Sequence, residues 1–111
     1  MPHQFELNDR AEFLDCSEKC AQLFGITRGC IAKHRLDEFV AQESGTIFLT
    51  ALLDAYRGNT VKNIPILING MNGHQTTVLM GFATIIDPES ERITKLIGRF
   101  KIYSGKGKTI Y

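Results

Sequence analysis

Three stretches of period-two apolar patterning, joined by tight turns, fill the second half of the chain. Ile64, Ile66 and Ile68 alternate with Pro65 and Leu67, the near-continuous apolar run of a well-buried strand. Pro65 has no N–H to give to a ladder, so this strand is expected at a sheet edge or locally bulged. Residues 69–73, Asn-Gly-Met-Asn-Gly, hold two Asn-Gly pairs, whose tolerance of positive φ makes them hairpin signals. A long strand is expected over residues 75–86, with Val78, Met80 and Phe82 on one face. Asp87-Pro88-Glu89-Ser90 reads as the next turn. The last strand, over residues 93–103, sets Leu96, Gly98, Phe100 and Ile102 against Arg99, Lys101 and Tyr103 on the opposite side. Such an antiparallel meander must cover one of its faces.

The first half supplies the cover. Residues 4–7 read as a short strand and Asn8-Asp9-Arg10 as a turn. Residues 11–25 begin as a second strand and continue as a helix from Asp15 or Ser17, whose oxygens can take up free amides of the first turn. Gly25 ends that helix as a left-handed cap. Between residues 26 and 42 the pattern is weaker: residues 27–32 read as a loose turn, and Leu36, Phe39 and Val40 have the spacing of a short helix. Residues 46–57 form the clearest helix, with Phe48, Leu49, Leu52, Leu53 and Tyr56 as its apolar stripe, Ser44 or Thr46 as cap and Gly58 as stop. The order is strand, strand, helices, then three strands: an α+β domain with its helices on one side of an antiparallel sheet.

Length and charge narrow the function classes. A chain of 111 residues has room for one core. A formal net charge of +1 gives no global field toward nucleic acid or an acidic membrane. No apolar run approaches the length of a membrane helix, and the N-terminus lacks the apolar centre of a signal peptide. Three cysteines are too few for a disulfide framework and point to a reducing compartment, so a cytoplasmic location without membrane insertion or nucleic-acid binding is expected.

Cys16, Cys20, Cys30 and His34 give C-x3-C-x9-C-x3-H, a composition with four zinc or iron ligands. The spacing is against it, since Cys16 and Cys20 straddle a strand-to-helix junction and free cysteines commonly serve as small core hydrophobes. The expectation is reduced thiols and no metal. Gly107-Lys108-Thr109 resembles the end of a phosphate-binding loop, but Ile102 stands where its first Gly belongs. Asp37-Glu38 reads as a solvated pair, and no nucleophile–base arrangement emerges. The chain is not expected to be an enzyme.

Taken in order, these elements resemble a PAS domain over residues 4–103. AEFLDCSEKCAQLFG resembles that family's second strand and first helix, written as an aliphatic strand, Asn, then a helix ending in Leu-Phe-Gly. Ser17 stands at the Asn position, which its capping role allows. CIAKHRLDEF is similar to the family segment with Gly-Lys and a following Leu-x-x-Leu/Phe, except that Lys33 occupies the place of that Gly. Length gives a single domain over residues 1–111, and the small, basic composition of residues 104–111 reads as a mobile tail. The resemblance implies a five-stranded sheet in the order 2-1-5-4-3 with helices on one face.

It also implies a sensory or regulatory input domain of a bacterial-type signalling protein, such as a two-component system, with its effector or partner protein outside this chain. Such sensors enclose a small molecule or cofactor between sheet and helices. The pocket candidates are then Phe39, Phe48, Leu52, Ile66, Met80, Phe82, Leu96, Gly98 and Phe100. Few polar groups face that space, Thr84 being one, so a mostly apolar ligand is expected, with Gly81 and Gly98 allowing close approach. Gly98→Phe is expected to block binding and spare the fold. The reactive-cysteine position of the flavin-binding branch falls near Leu36, with Arg35 in place of its Asn, so covalent flavin chemistry is not expected. The long helix offers no axial His for haem; His34 and His74 lie outside it. None of these patterns names a cofactor. Val61, Leu67, Leu79, Ile85 and Ile97 would face outward, which points to a homodimer through the open sheet face or the N-terminal segment. The alternative is an interaction module with a closed, ligand-free core.

Overall fold

Residues 3–103 are described by the computed structural model. The expected basic tail, residues 104–111, lies outside the described residues. Strands β1 (His3–Leu7) and β2 (Phe13–Cys16) lead into helix α1 (Glu18–Phe24). Three short 3₁₀ turns follow, Arg28–Lys33, Leu36–Phe39 and Gln42–Ser44, and run into helix α2 (Gly45–Tyr56). The meander β3 (Val61–Asn69), β4 (Gln75–Ile86) and β5 (Ile93–Ile102) closes the described chain. The sheet is antiparallel throughout, in the order β2-β1-β5-β4-β3, as the resemblance implied.

Local chemistry sets each turning point. Asn8 holds the β1–β2 turn by accepting the N–H of Arg10 (2.8 Å) and of Glu12 (3.0 Å) on its side-chain oxygen. Ser17 caps α1 by accepting the Cys20 N–H at 3.3 Å, and Gly25 ends it at φ 73°. The β3–β4 hairpin folds back onto that end: Met71 donates its N–H to the Phe24 carbonyl at 2.8 Å. A Cβ on Gly25 would stand 2.7 Å from the Asn72 nitrogen, so the position needs glycine for its conformation and for this close approach.

The structure departs from the sequence reading in five places. Leu36–Phe39 is a 3₁₀ turn, closed by the Arg35 N–H on the Glu38 carboxylate at 2.6 Å, and Val40 is extended and bridges to Ile68. The buried side of α2 is Phe48, Ala51, Leu52 and Ala55, while Leu49 and Leu53 are exposed. Two alanines let that helix approach the sheet and turn the two leucines outward. Ser44 makes no cap bond; its hydroxyl accepts the Leu67 N–H at 2.8 Å. Val61 points inward, because a bulge between Val61 and Ile64, with Asn63 at φ 56°, shifts the alternation by one residue. Ile102, expected inward, is exposed near the end of the sheet.

Candidate functional site

Antiparallel register decides what shares the inner face. Phe5 lies opposite Gly98, Leu7 opposite Leu96, Phe100 opposite Met80, and Ile66 opposite Val78. Directly opposed residues project to the same side, so β1 drives Phe5 into the middle of the sheet's inner face. There its ring meets Phe13 at 5.7 Å, Phe100 at 6.1 Å, Phe82 at 6.2 Å and Phe24 at 6.5 Å between centroids. Phe24 stacks on Phe39 at 4.6 Å. The expected pocket residues Phe39, Phe48, Leu52, Ile66, Met80, Phe82, Leu96 and Phe100 all belong to this one buried cluster, and Gly98 is buried beside them.

Gly98 has a different role from the one expected. A Cβ built on it would sit 2.1 Å from the Phe5 ring. The space above Gly98 is therefore occupied by Phe5, and Gly98→Phe would disrupt the core rather than spare the fold. Phe5, Leu7, Phe13, Phe24 and Leu36, all nearly inaccessible, complete the filling and were not among the pocket candidates. Phe5 and Leu7 carried the signal in their two-residue spacing within a strand.

The outer face of the sheet presents a trough of about 740 Å³. Leu79, Gly81 and Ala83 of β4 form its floor, and Ile97, Arg99 and Lys101 of β5 flank them as cross-strand partners of Ala83, Gly81 and Leu79. The opposite wall is residues 60–63, raised by the β3 bulge; the Val61 carbonyl overhangs Gly81, 2.8 Å from where a Cβ would be. Lys62, Arg99 and Lys101 are exposed around it, and no carboxylate lines it. Glu6, on the same face, is bound by Lys95 at 3.0 Å.

The cysteine–histidine set does not assemble. Cys16 and Cys20 are buried and hydrogen-bonded to each other, Cys30 is exposed, and His34 pairs with Glu38 at 3.0 Å. Burial pushes both buried thiols above their ordinary range, Cys16 further under the nearby Asp15 carboxylate. Among the described residues no group of three or more His, Cys, Asp or Glu is placed to hold a metal ion, and no helix is long and apolar enough to cross a membrane.

No family model matches the chain, and no curated protein sequence matches it. Solved structures do. A variant PAS-B domain of Drosophila melanogaster Cycle with bound glycerol overlays with a TM-score of 0.83 at 10% identity, covering 93% of this chain and 100% of that one. The PAS domain of a Colwellia psychrerythraea protein gives 0.78 at 10% identity, over 92% and 86% of the two chains. The N-terminal domain of a Marinobacter aquaeolei diguanylate cyclase with PAS/PAC sensor gives 0.75 at 13% identity, over 92% and 94%. Five antiparallel strands in this order, helices on one face and overlays spanning nearly the whole of such domains establish that the chain has the PAS fold.

Proposed function

We infer that the chain is a non-catalytic sensory or regulatory input domain of a signalling protein, and that it works by protein contact across its outer sheet face. The observation that carries this is the Phe5 ring over Gly98: the inner space that holds a ligand in a chemical sensor is taken by the chain's own aromatic side chains. The outer trough, by contrast, joins an apolar floor to an unfilled surface. The overlay on the N-terminal domain of a diguanylate cyclase with PAS/PAC sensor supports the regulatory part of the reading. Self-association through the same face is a second reading, favoured by Leu79 and Ile97 on it, with Leu67 and Ile85 further along.

Absorbance and native mass spectrometry of the purified chain, followed by a thermal-shift screen with flavins, haem and small apolar molecules, test the proposal. The expected result is the bare polypeptide mass, no visible absorbance and no stabilising compound. A copurifying cofactor, or a compound whose stabilisation is lost in Met80→Trp, would return the chain to the ligand sensors. Light scattering at micromolar concentration separates the monomer from the homodimer.

A further inference from the structure

Taking the contact reading above as its basis, we propose that the outer trough is a docking site for an acidic amphipathic helix of a partner protein. Charge complementarity selects this occupant. The trough's ionic side chains are Lys62, Arg99 and Lys101, and among the described residues none of the three is in an ion pair. Its open floor is apolar, made by Leu79, Ala83 and Ile97, while the chain's own Val61 carbonyl covers Gly81. The exposed, small Ala83 admits a helix beside residues 61–62, and leucine-sized side chains on such a helix would cover Leu79 and Ile97. Glutamates along its flanks would then meet the three cations.

Other occupants fit worse. A second copy docked by two-fold symmetry would bring the same cationic rim against itself. Residues 104–111 carry two further lysines and no acid. An added strand needs a continuous run of free sheet edge, and each edge is engaged in part. On β3, Leu67 donates its N–H to Ser44 and accepts from the Ala41 N–H at 2.9 Å. Beside β2, the Phe13 N–H goes to the His34 carbonyl at 3.1 Å and the Leu36 N–H to the Ala11 carbonyl at 3.0 Å. Pro65 has no N–H to offer. A helix across the face remains.

The test uses the full chain and a fluorescein-labelled, side-chain-stapled helical peptide of about 16 residues, with leucine on one face and glutamate on the other. A twin peptide has lysine in place of every glutamate. Anisotropy is expected to show binding of the acidic helix that weakens with salt, and none of the basic one. Combining Arg99→Glu with Lys101→Glu should weaken the acidic helix by about tenfold or more and admit the basic one. Lys33→Glu, at an exposed position of the turn Arg28–Lys33, should change nothing. Amide shifts on binding should centre on Leu79, Gly81 and Arg99. Equal binding of both peptides, tighter binding of a single-stranded oligonucleotide, or a dimer dissolved by Arg99→Glu would overturn the acidic helix while leaving the sheet-face reading in place. Shifts confined to the helical side would remove both.

Discussion

Tyr56 ties the end of α2 to the β1–β2 turn through one oxygen: it donates to the Asn8 carbonyl at 2.6 Å and accepts the Ala11 N–H at 3.0 Å. Ala11 sits at φ 62°, a conformation that an alanine keeps only when its surroundings hold it. Tyr56→Phe removes both phenol bonds and leaves these two groups only their bond to each other, the Ala11 N–H on the Asn8 carbonyl at 3.2 Å; it is expected to lower stability by about 0.5–1.5 kcal/mol in urea titrations. Burial raises the Tyr56 phenol above its ordinary value, against a smaller opposing pull from the Ala11 N–H. A folded value above the unfolded one means that this contribution is intact below about pH 10 and is lost as pH rises through the folded value. Wild type should therefore lose stability at alkaline pH more steeply than Tyr56→Phe; parallel curves would show that the phenol is not held as described. The cysteines differ among themselves on the same grounds. Cys30 is exposed, whereas Cys16 and Cys20 are buried with raised thiols. One thiol per chain should react rapidly with iodoacetamide in the native state, and three in denaturant, by mass spectrometry.

At the level of elements, the meander was legible because two-residue alternation and turn chemistry agree there: β4 runs over the expected 75–86, and the hairpin turns fall at the Asn-Gly and Asp-Pro sites. Asp87 shows why, its carboxylate accepting the Glu89 N–H at 3.1 Å and the Ser90 hydroxyl at 2.9 Å. The region between α1 and α2 was less legible, since 3₁₀ turns leave no apolar period and are held by particular bonds such as Arg35 to Glu38. Nor does a local pattern show that Ser44, which looks like a helix cap, is spent on the β3 edge 23 residues away. Ser44→Ala should cost about 1–3 kcal/mol through the unpaired Leu67 N–H. It should also speed hydrogen exchange at Leu67 more than at the first amides of α2; the reverse order would make Ser44 an ordinary cap. Gly25→Ala combines positive φ with contact against Asn72, and its effect should include loosening of the 69–75 hairpin amides, because the turn rests on that helix end.

Across the whole molecule, the question is what fills the space between the sheet and its helices. Sequence patterning placed Met80, Phe82, Leu96 and Phe100 on the inner face, but alternation alone says nothing of how far a ring from another strand reaches. The register of β1 against β5, which puts Phe5 opposite Gly98, arises from a contact across more than 90 residues. A glycine in a strand is compatible with a ligand, a bulge or a neighbouring side chain, and here the neighbour is Phe5. Gly98→Ala should destabilise by about 1–3 kcal/mol through overpacking, because Phe13, Phe24, Phe82 and Phe100 surround the ring that must move. Phe5→Ala should cost about 3–5 kcal/mol by leaving a cavity. The double variant should fall short of the sum by about 0.5–3 kcal/mol, since the alanine methyl enters space the ring has left. Additive losses would mean that Phe5 does not lie over Gly98. Phe5→Ala alone tests the closed core as well. Its void is lined by phenylalanine and should bind benzene or xenon, with a thermal stabilisation that wild type does not show. If wild type is stabilised to the same degree, the inner space is already open, and the case for a domain that acts only through its outer face falls with it.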